Sequence, residues 1–115
     1  GHKKTIEKIR ELSKIHDSPA VITFISYFEF ILGIKERNPK NQGRAIAFVN
    51  KFGVLKINKE TADILTELKY KYDKEGNTLP LADLLIASQV IENNMTLITS
   101  DKDFEKIKEI KKIII

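Results

Sequence analysis

Short segments rich in β-branched and other apolar residues recur along the chain, and helical patterns separate them. The strand-like segments are residues 20–25, 53–58, 96–99 and 111–115. The helical patterns cover residues 3–16, 26–34, 44–51, 60–74, 80–93 and 101–108, and residues 38–43 have the composition of a loop. This alternation is typical of an α/β fold in which helices cover both faces of a parallel sheet.

The size of the chain fits one domain. It has 115 residues, of which 42% are hydrophobic and 31% are charged, so it can bury a core. Gly1-His2 resembles the remnant of a cleaved purification tag, and we expect a single domain over residues 3–115. No apolar run approaches the roughly 18 residues that a membrane span needs, and we expect no signal peptide before the fold.

The residue types that are missing exclude several kinds of chemistry. There is no cysteine, so thiol nucleophiles and thiolate zinc sites are excluded, and the composition suits a reducing cytoplasm. Apart from the tag-like His2, His16 is the only histidine, which leaves almost no material for a Ser-His mechanism. The net charge of +4 allows a polyanionic partner without requiring one. Any catalysis must therefore use carboxylates, with or without a metal ion.

Two acids lie among apolar neighbours at the start of predicted helices. Asp83 has Leu79, Ile86, Ala87 and Val90 at helical spacing around it, which predicts that it faces the core. Burying a lone carboxylate costs several kcal/mol, more than the helix dipole returns, so a cation or strong donors should lie nearby. Glu29 has a similar setting among Ile25, Leu32 and Gly33, and it too should be buried.

A third acidic group directly follows a predicted strand. Asp101 and Asp103 come after the segment 96–99, where the carboxyl ends of parallel strands collect ligand-binding residues. Each acid also has an ordinary structural explanation: Asp101 or Asp103 as a helix cap, Asp83 as an acceptor for free helix amides, Glu29 as half of an ion pair. Together they can meet at one sheet edge, where oxygen ligands suit Mg²⁺ or Mn²⁺ rather than zinc.

These segments resemble the PIN domain, the small α/β nuclease of VapC-type toxins. The resemblance runs over residues 3–115 and is strongest over residues 79–107, with their acidic helix, strand and Thr-x-Asp-x-Asp-Phe segment. Residues 28–33 resemble the family's Glu-x-x-x-Gly helix. The resemblance implies a three-layer sandwich with four to five parallel strands. It also implies that Glu29, Asp83 and Asp101 are catalytic Mg²⁺ or Mn²⁺ ligands, with Asp103 as a fourth ligand.

One part of the family pattern has no counterpart in this sequence. PIN domains begin with a central strand that ends in an aspartate, whereas this chain begins with a helical pattern. We expect either that 20–30 residues precede Lys3 in the natural protein or that the chain is a shortened variant. The strands near residues 20–25 and 96–99 should then each lack a partner on one side.

The function implied by the resemblance is endoribonuclease activity through a metal-bound acidic site, with a VapB-type antitoxin as partner. Several side chains are candidates for contacting RNA, namely Thr99, Ser100, Lys35, Arg37, Lys40 and Arg44. A catalytically impaired PIN-like module that binds protein or RNA is the alternative, because the first acid is missing. An unfilled strand position would also favour a homodimer. A third possibility is a Mg²⁺-dependent phosphatase or receiver-like domain, which needs an early strand-end acid that this sequence lacks.

Overall fold

The computed structural model describes residues 20–115. The predicted helix over residues 3–16 and its His16 lie outside these residues. The elements follow in the order β1 (Val21–Ile22), α1 (Phe24–Lys35), α2 (Pro39–Val49), β2 (Gly53–Val54), α3 (Lys59–Lys74), α4 (Leu81–Glu92), β3 (Thr96–Thr99), a 3-10 helix (Lys102–Lys106) and β4 (Lys111–Ile114).

The four strands are parallel, as the sequence pattern predicts, and the fold is a PIN-like α/β architecture. Strand β1 pairs with β2, with Val21 opposite Gly53, and β3 pairs with β4, with Thr96 opposite Lys111. Within residues 20–115 the two pairs form separate two-stranded sheets instead of one continuous sheet. β1 and β3 therefore each have one strand neighbour in this part of the chain, as expected from the sequence.

The core is concentrated in the second half of the chain. Helices α3 and α4 pack against each other, and the buried cluster consists of Leu68, Tyr72, Leu84, Ile86, Ala87, Val90, Phe104, Ile107 and Ile110. Leu84 is fully buried, and burial of one such side chain is worth about 1.5–3 kcal/mol. From the first half of the chain, Ile25 of α1 packs against this cluster. The two halves therefore share limited apolar contact.

The loop predicted over residues 38–43 is wrong, because these residues begin helix α2. Asn38 is the N-cap, and its side chain accepts a 3.1 Å hydrogen bond from the backbone N–H of Lys40. Pro39 follows at the first helical position, where its missing N–H and fixed φ angle are tolerated. The residues that suggested a loop are helix-start residues, and α2 ends at Val49 instead of reaching residue 51.

Local capping fixes the ends of α3. The Asn58 side chain accepts from the backbone N–H of Thr61 at 3.0 Å, and the Thr61 hydroxyl accepts from that of Asn58 at 3.2 Å. The hydroxyl of Thr61 also donates to the carboxylate of Glu92, which ties the start of α3 to the end of α4. Gly76 follows the helix with φ of +82°, a left-handed conformation that glycine adopts without strain.

In residues 20–115, no helix has both the length and the apolar content that crossing a lipid bilayer would require.

Candidate functional site

Asp83 lies in the first turn of α4 and is half-buried, as the apolar neighbours at helical spacing predict. Burial raises the pKa of its carboxyl above the ordinary value of 3.8. The charges of Asp101, Asp103 and Glu29 raise the pKa of Asp83 further. The three other predicted site acids thus all lie within electrostatic range of Asp83.

The environment of Asp83 lacks a compensating positive charge in the described part of the chain. The ion pairs found among residues 20–115 do not include Asp83, so the cation expected beside it is not supplied by these residues. The N-terminal position on α4 stabilises a carboxylate by only about 0.3–1 kcal/mol. Burial and the like charges of Asp101, Asp103 and Glu29 therefore raise the pKa of Asp83 without an ion-pair partner for it among the described residues.

Asp101 and Asp103 are exposed and lie directly beyond strand β3. Asp101 is the N-cap of the 3-10 helix, and its Oδ1 accepts a 2.9 Å hydrogen bond from the backbone N–H of Asp103. The backbone N–H of Asp101 donates to the hydroxyl of Thr99 at 3.1 Å. Asp101 thus has the capping role that the sequence left open. One carboxylate oxygen is occupied by this bond, while the exposed side chain can still bind another group.

Glu29 is exposed, and the prediction that it is buried is wrong. Its helix α1 is apolar almost all round, yet Ile34 is its one buried residue. Apolar neighbours on such a helix therefore do not indicate which face is turned to the core. The exposed position leaves the Glu29 carboxylate in water, where its charge costs little and still acts on Asp83.

The four acids are coupled electrostatically without forming a tight cluster. Within residues 20–115, no three acidic or histidine side chains stand close enough together to hold a metal ion directly. Coulombic coupling extends over about 10 Å at ordinary salt, whereas direct ligation of Mg²⁺ needs distances near 2.1 Å. The donor set of carboxylates fits a hard divalent cation, and Mg²⁺ in proteins commonly keeps several waters of its hydration shell.

The residues predicted to contact RNA divide between two regions. Thr99 and Ser100 lie beside Asp101 at the end of β3, where Thr99 is half-buried and Ser100 is exposed. The basic residues are all exposed. They lie at the end of α1, in the connection to α2 and on α2, and the two helices pack against each other: Lys35, Arg37, Lys40 and Arg44.

Gln89 of α4 is a buried polar residue that the sequence analysis missed. Its side chain is fully buried, and its carboxamide bonds to backbone groups at Phe24, Leu55 and Lys56. The sequence does contain a sign of this residue, because Ser88 and Gln89 are polar residues inside an otherwise apolar helical segment. Buried polar side chains must be hydrogen-bonded, so such a pair predicts bonds to other parts of the chain.

Comparison with known proteins supports the same fold. The structure is similar to VapBC2 from Rickettsia felis, solved bound to a DNA fragment from their promoter, with a TM-score of 0.81 and 22% identity over 95% of this chain and 83% of that chain. It is similar to VapBC-1 from nontypeable Haemophilus influenzae, with a TM-score of 0.79 and 27% identity over 92% of this chain and 83% of that chain. It is also similar to DNA-bound VapBC from Salmonella typhimurium, with a TM-score of 0.76 and 22% identity over the same shares.

A comparison with curated protein sequences finds no significant match. The PIN domain family, in contrast, matches residues 1–110, nearly the whole chain. Together with the parallel α/β fold and the acids around Asp83, this match shows that the chain belongs to the PIN domain family.

Proposed function

We propose that this chain is a VapC-type endoribonuclease that hydrolyses RNA phosphodiester bonds with the help of Mg²⁺ or Mn²⁺. The observation that carries the proposal is that Asp83, half-buried in the first turn of α4, lies within electrostatic range of Asp101, Asp103 and Glu29. A half-buried carboxylate that neighbouring acids destabilise is expected where a cation binds, because the cation turns repulsion into attraction. Family membership supports the same reaction class.

The acids have different roles in this proposal. Asp83 is the half-buried anchor for the cation, and Asp101 and Glu29 approach from the exposed side, with Asp103 as the fourth acid. A divalent cation bound there would activate water for attack on the scissile phosphate and stabilise the leaving oxygen. The carboxylates hold the ion in place, and the exposure of Glu29, Asp101 and Asp103 leaves room for a large polyanionic substrate.

Substrate binding in this proposal uses the basic surface of α1 and α2. Lys35, Lys40 and Arg44 are exposed, and Lys or Arg side chains near a nuclease site neutralise backbone phosphates. Arg37 belongs to the same surface. Thr99 and Ser100 are placed beside Asp101, where their hydroxyls would donate to phosphate oxygens.

A PIN-like module with weak or no activity is the second candidate. It is favoured by the finding that no three acids among residues 20–115 are close enough to ligate a metal together. Such a module would bind RNA or protein through the same surface without cleaving it.

The proposed partners are a VapB-type antitoxin and a second copy of this chain, and we expect both to act in the cytoplasm. One long face of α1 supports a protein partner, since Phe24, Phe28 and Leu32 are 44%, 54% and 48% exposed at a spacing of four residues. We call these three residues the exposed stripe of α1. Single apolar residues on a surface are ordinary, whereas apolar residues exposed side by side are typical of a protein interface. The similar Haemophilus structure is a VapBC complex, which supports the antitoxin as one partner.

RNA cleavage by matched variants tests the proposal. Wild type and Asp63→Asn should cleave a mixed single-stranded RNA when Mn²⁺ is added, and EDTA should stop the reaction. Asp63 is the control because it is exposed on α3 and paired with Lys59. Asp83→Asn should lose activity at least about 100-fold, the range expected when a group that acts in the transition state is removed. Binding of RNA without any cleavage by wild type would favour the second candidate instead.

A further inference from the structure

Gln89 connects the two halves of the described chain. Its Oε1 accepts a 2.8 Å hydrogen bond from the backbone N–H of Phe24, the first residue of α1. Its Nε2 donates to the backbone oxygens of Leu55 at 3.0 Å and Lys56 at 3.4 Å, just beyond β2. The Gln89 side chain therefore contacts both the start of α1, the helix that carries Glu29, and the segment just beyond β2.

Strand pairing does not join these regions in the described part of the chain. The sheet formed by β1 and β2 is not hydrogen-bonded to the sheet formed by β3 and β4 within residues 20–115. Each strand of the first pair has only two residues, so its ladder alone holds little. The hydrogen bonds of the Gln89 carboxamide therefore supply contact between these regions that strand pairing does not. Gln89 is buried, and leaving a buried donor or acceptor without a partner costs about 1–3 kcal/mol.

We call the three hydrogen bonds of Gln89 to Phe24, Leu55 and Lys56 the joint. The joint involves both helices that carry Asp83 and Glu29. On α4, Gln89 is six residues from Asp83, about 9 Å along the helix axis, and on α1 Phe24 is five residues from Glu29, about 7.5 Å. Helices α1 and α4 pack against each other. Asp83 and Glu29 are thus carried at similar distances from one joint, and a change in the helix crossing there would change their separation.

We propose that Gln89 is a positioning residue of the acidic site: by fixing the start of α1 against α4, it sets the placement of Glu29 relative to Asp83. This inference rests on the proposed function for its consequence in metal binding, while the joint itself is a property of the fold. Gln89 contacts neither metal nor substrate in this proposal. It acts through the two helices that carry the acids.

The test compares Gln89→Leu with a control that damages a different buried polar contact. Tyr72→Phe is suited to this, because Tyr72 is buried and its hydroxyl bonds to Glu109 and to the backbone N–H of Lys108, neither of which lies in α1 or α4. Both variants should unfold at lower temperature than wild type. In Gln89→Leu alone, the affinity for Mn²⁺ should fall by about 10- to 100-fold, as is typical when the support of a metal ligand is removed.

A second readout measures the joint without any metal. The sequence contains no cysteine, so nitroxide labels can be attached to single cysteines that replace Lys35 on α1 and Glu67 on α3, both exposed. In Gln89→Leu the distance distribution between the labels should broaden or shift, whereas in Tyr72→Phe it should match wild type. If Gln89→Leu does not fold, Gln89→Glu replaces it, since the carboxylate keeps the acceptor for Phe24 and loses the Nε2 donor.

The outcomes separate the two ideas. Unchanged label distances in the Gln89 variant would refute the inference that Gln89 holds α1 against α4. Altered distances with wild-type Mn²⁺ affinity would overturn the positioning role. Wild type that binds no Mn²⁺ would refute the proposed metal site, and the label distances would still decide whether Gln89 holds α1 against α4.

Discussion

The hydroxyl of Tyr72 donates a 2.6 Å hydrogen bond to the carboxylate of Glu109, 37 residues further along the chain. Lys71 contacts the same carboxylate at 2.6 Å, and the Tyr72 hydroxyl accepts from the backbone N–H of Lys108 at 3.1 Å. Because Tyr72 belongs to the buried core, this group of contacts ties α3 to the segment before β4.

Glu109→Gln should destabilise the fold at pH 7 by about 0.5–1.5 kcal/mol, because the carboxamide oxygen still accepts from Tyr72 while the charge that strengthens the bonds from Tyr72 and Lys71 is lost. Burial would raise the pKa of Glu109, but the hydrogen bonds from Lys71 and Tyr72 outweigh it and lower the pKa below its ordinary 4.5. The carboxylate therefore stabilises the folded state above pH 4.5 and loses this effect as the pH falls through the lowered pKa. Urea unfolding at pH 7 and well below pH 4.5 measures both.

The control for this variant is Glu105→Gln, an exposed acid in the 3-10 helix. It should change stability by less than about 0.5 kcal/mol at either pH. A penalty for Glu109→Gln that is equally large in acid would mean that the charge of Glu109 is not the stabilising feature.

Asp83→Asn should raise the melting temperature by a few degrees when EDTA removes divalent metal. The pKa of Asp83 is raised by burial and by Asp101, Asp103 and Glu29, so its ionised form destabilises the folded state at pH 7. Because the pKa of Asp83 is raised in the folded state, the stability of wild type should fall as the pH rises from 3.8 through the raised pKa. Below pH 3.8, wild type and Asp83→Asn should be equally stable. Thermal unfolding across this range, with Asp63→Asn as control, measures the effect; a lower melting temperature would refute it.

Two substitutions at Asp101 separate its capping role from its charge. Asparagine caps helices about as well as aspartate, so Asp101→Asn should keep the bond to the N–H of Asp103 and the melting temperature of wild type. Asp101→Ala removes the cap and should cost about 0.5–2 kcal/mol. Both should lose Mn²⁺-induced stabilisation, as seen by thermal shift. Retained stabilisation in Asp101→Asn would show that Asp101 serves only as a cap.

The sequence predicted the second half of the fold more closely than the first. Residues 96–99 form strand β3 as predicted. The segment is rich in β-branched residues and pairs along its whole length with β4. Near Asn38 and Pro39 the same residue types serve loops and helix starts, and composition could not distinguish them. The exposure of Glu29 and the joint at Gln89 depend on how α1 lies against α4, which helical periodicity does not encode.

The exposed stripe of α1 predicts association in solution. Phe28→Glu places a charge in the middle of Phe24, Phe28 and Leu32, and burying that charge in an interface would cost several kcal/mol. Sedimentation equilibrium should show self-association of wild type that Phe28→Glu loses. Tyr70→Glu is the control, because Tyr70 is 65% exposed on α3. Equal association of all three proteins would place the contact elsewhere.

The central claim is that Asp83, Asp101 and Glu29 together bind one divalent cation. Electron paramagnetic resonance of free Mn²⁺ during a titration measures this binding directly, because bound ion leaves the sharp six-line spectrum of the aqueous ion. Wild type and Asp63→Asn should bind one Mn²⁺ with equal affinity, and Asp83→Asn, Asp101→Asn and Glu29→Gln should each bind it at least about 10-fold more weakly. Equal Mn²⁺ affinity in wild type and Asp83→Asn, or no binding by wild type, would contradict the account.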